Sequence, residues 1–126
     1  MKGLLDTSVF VGREQGREMG ALPDEAAISV MTLAELHVGV LLARGQKARA
    51  QRLRTLALVE RTFEPLPVDD SVARVFAEIV ADARRRRRQP RVVDALIAAT
   101  AVAHDLPLYS QDRDFADMPG VDVVVV

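Results

Sequence analysis

The chain opens with a short apolar run, Lys2 to Leu5, that stops at Asp6-Thr7-Ser8, residue types that start helices, so a strand followed by a short helix is expected. Ala26 to Val30 reads as a second short strand. Thr32 then opens a helix with Leu33, Leu36, Val40 and Leu41 at helical spacing, and Gly45 is placed to end it. Lys47 to about Glu60 repeats the helical pattern through Leu53, Leu56 and Val59, while Phe63 to Val68 carries Pro65 and Pro67 and is at best an edge strand. Asp69-Asp70-Ser71 supplies cap chemistry for a helix bearing Val72, Val75, Phe76, Ile79 and Val80, which runs into an arginine string and breaks at Pro90. Val92 to His104 is a small-residue helix, Leu106 to Ser110 a strand, Gln111 to Pro119 an acidic turn region and Val121 to Val126 a last strand. Strands that alternate with helices predict an α/β fold, a central mainly parallel β-sheet flanked by α-helices, because each parallel crossover needs a dozen or more residues.

Composition narrows the class. The 126 residues suit one domain, 1–126, and a 49% hydrophobic fraction beside 28% charged residues can offset the entropy of folding. No apolar run approaches the ~18 residues of a membrane span, and the N-terminus, one lysine before a very short apolar stretch, is unlike a secretory leader. Without cysteine there is no disulfide framework, thiolate nucleophile or thiolate metal site, which fits a reducing compartment and makes the cytoplasm the expected location. The net charge of −1 conceals a basic cluster at Arg84 to Arg91 and acids that interrupt apolar segments elsewhere.

Those acids are the candidate chemistry. In an open α/β sheet the ligand crevice lies beyond the carboxyl ends of the strands, which is where Asp6 and Asp112 fall. Each acid also has a structural explanation. Asp6 suits a helix N-cap, and Thr32-Leu33-Ala34-Glu35 matches a capping box in which Glu35 bonds back to the cap amide. Asp112 and Asp114 suit an Asx turn. Asp94 is different, because Val92-Val93 precede it, Ala95-Leu96-Ile97 follow it, and Ile97, Ala98 and Ala101 share its helical face. An ionised carboxylate in such surroundings needs a cation, several donors or a proton. Clustered carboxylates call for divalent ions, and oxygen-only ligation selects hard ones such as Mg²⁺, with Mn²⁺ as the alternative. Paired ions of that kind hydrolyse phosphodiesters without histidine or cysteine.

Four segments in order, Leu4-Leu5-Asp6-Thr7-Ser8-Val9, Thr32-Leu33-Ala34-Glu35-Leu36, Val93-Asp94-Ala95-Leu96-Ile97-Ala98 and Ser110-Gln111-Asp112-Arg113-Asp114-Phe115, resemble a PIN domain over essentially the whole chain. The size and the run Asp94 to Ala101 are similar to the VapC toxins of type II toxin–antitoxin systems, Mg²⁺-dependent endoribonucleases. The resemblance implies that Asp6, Glu35, Asp94 and Asp112 are metal-site acids, with Asp114 a fifth member or the alternative to Asp112. It also implies that Thr7 and Ser110 orient a ligand or a water. Its implied partners are RNA and a VapB-type antitoxin, the chain forming a homodimer and a toxin–antitoxin hetero-oligomer. Ser110-Gln111 stands where threonine-arginine is frequent in the family, a departure that bears on substrate contacts and leaves the acids intact.

The arginines Arg84, Arg85, Arg86, Arg87 and Arg88 sit where cations favour a helix C-terminus, and such a run is usually solvated. With Arg91, they alternatively meet RNA phosphates or an acidic antitoxin segment. His37 and His104 have no partner histidine at metal-binding spacing and read as surface or helix-end residues. The apolar faces of the two helices after Thr32 and Lys47 are divided between core and a helix-binding surface in proportions that the sequence leaves open. Two other α/β chemistries fail on their own terms: a phosphoacceptor receiver wants a lysine late in the chain, but the only lysines are Lys2 and Lys47, and a haloacid dehalogenase-like phosphatase wants an acid where Ser8 stands. The rival that survives is a non-catalytic PIN-like module for RNA binding or protein interaction.

Overall fold

A computed structural model describes residues 1–126. Four parallel strands, β1 (Lys2–Leu5), β2 (Glu25–Ala27), β3 (Leu108–Ser110) and β4 (Val123–Val125), lie in the order β2-β1-β3-β4. The helices are α1 (Thr7–Glu14), α2 (Val30–Leu41), α3 (Gln46–Thr62), α4 (Asp70–Arg85) and α5 (Val92–Ala103), with a 3₁₀ turn at Arg113–Asp117. The expected α/β sheet is therefore present, and it is wholly parallel. No helix is long and apolar enough to cross a membrane.

The two-residue period of the strands explains why the sheet is covered on both faces. Leu4 pairs with Leu108 and Leu5 with Tyr109. Leu4 and Leu108 enter one core with Val72 and Ile79 of α4, the alanines of α5, and Phe115. Leu5 and Tyr109 enter the other, with Val9 of α1, Leu36 of α2, and Leu56 and Val59 of α3. Ala95, Ala98, Ala99 and Ala101 are completely buried, so α5 approaches its neighbours closely because it carries almost no side-chain bulk on that face. In the second core Phe10 meets Phe63 edge to face, with ring centroids 5.9 Å apart.

Several boundaries depart from the sequence pattern for identifiable reasons. Helix α2 starts at Val30 with Ser29 as its N-cap, the Ser29 hydroxyl accepting from the Met31 amide at 3.0 Å. Thr32 is therefore inside the helix, fully buried, and the capping box predicted for Thr32 and Glu35 is absent. Gly45 does not end α2; it is the N-cap of α3, with a φ of 88° that only glycine adopts without strain. The segment around Leu66 makes a single parallel bridge to Ser29. Pro65 and Pro67 have no amide proton to donate, so pairing stops at the two bonds between Leu66 and the Ile28–Val30 backbone. Asp69 caps α4, and the Val72 amide together with the Ser71 hydroxyl holds its carboxyl below the usual range. Of the apolar residues on the α2–α3 hairpin, Leu36, Leu56 and Val59 are core, while Val38, Leu41, Leu42, Leu53 and Leu58 are exposed.

Candidate active site

Strand β1 is where the winding of the sheet reverses: the chain leaves it toward β2 on one side and later returns as β3 on the other. Crevices form at such switch points, beyond the carboxyl ends of the strands. The ladder continues one step past β1, with the Asp6 amide donating to the Tyr109 carbonyl at 2.9 Å, which sets Asp6 beside Ser110. Asp6 caps α1, as its N-cap reading expected, accepting from the Ser8 amide at 3.3 Å. The fully buried Ser110 hydroxyl donates to the same Oδ2 at 2.9 Å, which leaves Oδ1 for another partner.

Ser110 also fixes Asp112. Its hydroxyl accepts from the Asp112 amide at 2.9 Å, and Asp112 in turn caps the 3₁₀ turn by accepting from the Asp114 amide at 2.9 Å. Buried as it is, Ser110 positions Asp6 and Asp112 relative to each other. Ser8, which the sequence did not single out, completes this frame: its hydroxyl lies 3.1 Å from Ser110 Oγ and accepts from the Gln111 amide at 2.9 Å. The signal available in the sequence was only a second hydroxyl after Asp6. Ser110→Ala is expected to keep the fold, cost about 1–3 kcal/mol in thermal unfolding, and lower turnover about 10- to 100-fold, as for other groups that orient metal-site acids.

Glu35 arrives from α2. Thr7 Oγ1 donates to Glu35 Oε1 at 2.6 Å and stands 3.1 Å from Thr32 Oγ1, so a pair of hydroxyls anchors the glutamate from beneath. Glu35 is thus tied to the residue after Asp6 and makes no capping bond, because Ser29 and not Thr32 caps the helix.

Asp94 lies in the first turn of α5, only 7% exposed, and accepts no hydrogen bond; its nearest cation is Arg91, with Nη1 at 3.9 Å. The other guanidinium nitrogen of Arg91 is 3.8 Å from Glu35 Oε2, so one exposed arginine spans both acids. Burial pushes the Asp94 carboxyl up to about 6; Arg91 opposes this, and the negative charges of Asp6, Glu35 and Asp112 add to it. Three acids from three other parts of the chain therefore act electrostatically on the fourth. Asp114 is not among them: it is exposed, and its side chain faces a neighbouring cavity.

The donor set suits a hard divalent ion. All donors are carboxylate oxygens, they gather at the sheet's switch point, and one of the two buried ones, Asp94, lacks a hydrogen-bonding partner. No three acidic side chains stand close enough to form a ready-made cage. Like charges with one arginine between them repel, so an ion fits here by chemistry and place, and ligation requires the side chains to close.

The arginine run does not act as a block. Arg86, Arg88 and Arg91 line a cavity that also reaches Asp94 and Asp114, whereas Arg84 and Arg87 line an adjoining shallow hollow that Arg88 borders too, and Arg85 lines neither. His37 and His104 are exposed.

The PIN domain family matches residues 3–121. Ribonuclease VapC5 of Mycobacterium tuberculosis is 45% identical over 98% of this chain and 93% of its own length, and Ribonuclease VapC4 of the same organism is 43% identical over 99% and 97%. The chain belongs to the VapC family of PIN-domain ribonucleases. Its fold superposes on a crystal structure from the VapBC family of toxin–antitoxin systems, VapBC-5 from Mycobacterium tuberculosis, with a TM-score of 0.90, 42% identity, and coverage of 99% of this chain and 98% of the other. In this VapC-family chain the matched span contains every acid of the crevice, from Asp6 to Asp112, and Asp114 beside it.

Proposed function

We propose that the chain is a Mg²⁺-dependent endoribonuclease, the toxin of a VapBC-type pair, in which Asp6, Glu35, Asp94 and Asp112 are the metal-site acids. The observation that carries this reading is Asp94, a buried carboxylate without a hydrogen bond, pushed up first by its burial and further by three acids that other parts of the chain bring near it. Asp94 and Asp6 would hold the ion most directly, since each keeps carboxylate oxygen uncommitted to protein donors. Glu35, fixed by Thr7, and Asp112, fixed through Ser110, would complete the set from opposite walls. When bound, Mg²⁺ or Mn²⁺ supplies the positive charge that activates a water and stabilises the leaving oxygen of a phosphodiester. The protein's own contribution is orientation: two hydroxyls, of Thr7 and Ser110, aim acids and leave the reacting space to water and RNA. Asp114, facing the arginine cavity, is assigned to substrate rather than to the ion.

The relatives' toxin–antitoxin setting supports a VapB-type antitoxin as partner in a hetero-oligomer; a toxin homodimer within it is part of the same proposal. The exposed Val38, Leu41 and Leu42 at the end of α2 supply apolar surface for protein contact. Incubation of the purified chain with a structured RNA pool tests the activity: cleavage is expected with Mg²⁺ or Mn²⁺ and none with EDTA. Expression is expected to arrest growth, with relief by Asp6→Asn or by a co-expressed antitoxin. Cleavage that persists in EDTA would sink the metal mechanism, and RNA binding without turnover would make the chain a non-catalytic PIN module.

A further inference from the structure

Helix α4 ends in a tight reversal: the Arg88 amide donates to the Ala83 carbonyl at 2.7 Å and the Arg87 amide to that of Arg84 at 3.0 Å. Arg87 takes the left-handed conformation, φ 57°, that such endings usually assign to glycine. This reversal divides the run, sending Arg84 and Arg87 to a shallow hollow and Arg86 to the cavity beside Asp94, with Arg88 bordering both. Arg86 donates to the Asp117 carbonyl oxygen at 2.6 Å and Arg88 pairs with the Asp117 carboxylate, so both guanidiniums are held against the 3₁₀ turn that follows Asp112. Between them lies a cavity of about 270 Å³ that runs directly onto Asp94.

We propose that this cavity is a binding subsite for one nucleotide of single-stranded RNA next to the scissile phosphate, with Arg86, Arg88 and Arg91 as its phosphate and base contacts. The proposal rests on the nuclease reading and deepens it. Three features of the cavity match a nucleotide. Its volume is that of a base with part of its sugar-phosphate. Its cations are arginines, whose planar fork takes two phosphate oxygens or two base acceptors at once. Its floor is apolar, with Ile79 and Met118 buried, while Asp114 offers an acceptor for base amino groups and Asp117 is taken up by the arginines. The first turn of α5 opens onto the same space with no side-chain cap on its amides, which adds favourable potential for an anion. RNA is favoured over an acidic peptide because the cavity continues into the carboxylates where a phosphodiester must lie to be cut.

The test is binding of a fluorescein-labelled single-stranded RNA of random sequence, by anisotropy over a salt series, in an Asp6→Asn background that is not cleaving. Arg86→Gln with Arg88→Gln is expected to weaken binding at least tenfold and to flatten the dependence of log Kd on log salt by about 0.7 for each phosphate that is no longer neutralised. Arg84→Gln with Arg85→Gln removes the same charge from the same run, and Arg87→Gly relaxes the reversal; both are expected to stay within about twofold once the salt slope is considered. Asp117→Asn separates binding from bracing: it breaks the Arg88 pair yet is expected to leave RNA affinity unchanged or tighter. Equal weakening by the Arg84/Arg85 pair would overturn the subsite in favour of a diffuse basic surface. Weakening by Asp117→Asn to the level of the Arg86/Arg88 pair would reduce those arginines to struts. Normal RNA binding by the Arg86/Arg88 pair, with loss of antitoxin capture, would reassign the cavity to an acidic peptide. In each of these cases the wild-type chain still cleaves RNA, so the nuclease reading stands; a wild-type chain that neither binds nor cleaves RNA would remove both.

Discussion

Asp94→Asn is expected to abolish cleavage while making the ion-free protein more stable. Turnover on RNA in Mg²⁺ should drop by at least ~1,000-fold, equivalent to about 4 kcal/mol of lost transition-state stabilisation. The gain in stability follows from proton linkage. In the unfolded chain Asp94 ionises near 3.8, and in the folded, ion-free chain it ionises at about 6. Below pH 4 both states carry the proton and the group is neutral to folding. As pH rises through this window the unfolded chain releases its proton first, so the native state loses stability, and above about 6 the full penalty of roughly 3 kcal/mol remains. Asparagine removes the charge but retains a buried amide to be satisfied, which leaves a net gain on the order of 1–2 kcal/mol at pH 7. Thermal unfolding in EDTA should therefore place the variant several degrees above wild type at pH 7 and below it at pH 4, where the wild-type carboxyl is largely protonated and only the cost of the buried amide remains. Added Mg²⁺ should raise the wild-type Tm and leave the variant's unmoved. A variant that is less stable than wild type at pH 7 in EDTA would show that Asp94 has compensating partners in the folded chain.

Phe115→Ala is expected to produce the largest loss of stability. Phe115 is 1% exposed and joins the core formed by Leu4, Leu108 and α5, from a position just after Asp112 and Asp114. Truncation of a fully buried ring costs about 3–5 kcal/mol, including the cavity left behind. For a chain of this size that lowers Tm by on the order of 10–20 °C. Cleavage measured well below the new Tm should also fall, because the ring anchors the turn that carries Asp112. A full Tm loss with unchanged turnover would show that the Ser110 hydroxyl alone holds Asp112 in place.

The residues that define the site were legible in the sequence to different degrees. Asp94 was conspicuous because a charge inside an apolar helix contradicts its surroundings, and the fold sharpens the contradiction by bringing three more acids near it. Glu35 was obscured by local pattern: Thr32-Leu33-Ala34-Glu35 satisfies the capping box, and only the tertiary placement of Ser29 shows that the helix begins a turn earlier. Short-range chemistry could not distinguish the two, since both serine and threonine cap well. The first strand was read with its observed limits, whereas the other three were drawn too long, because three-residue parallel strands carry little periodicity and the ladder fixes their limits. The partition of the arginine run was invisible, because it depends on one positive φ at Arg87, a conformation that composition does not favour there. Ser8 was missed for a related reason: its partners, Ser110 and Gln111, lie at the far end of the chain.

That distance has a consequence for how the protein is made. The hydrogen bond from Ser110 to Asp6 spans 104 residues, and the crevice exists only when β3 has docked beside β1. Domains fold as units during synthesis, from the N-terminus onward. A growing chain that has not yet released β3 lacks both the Ser110 bond to Asp6 and the turn that carries Asp112, so the acids share one crevice only after the last strands emerge.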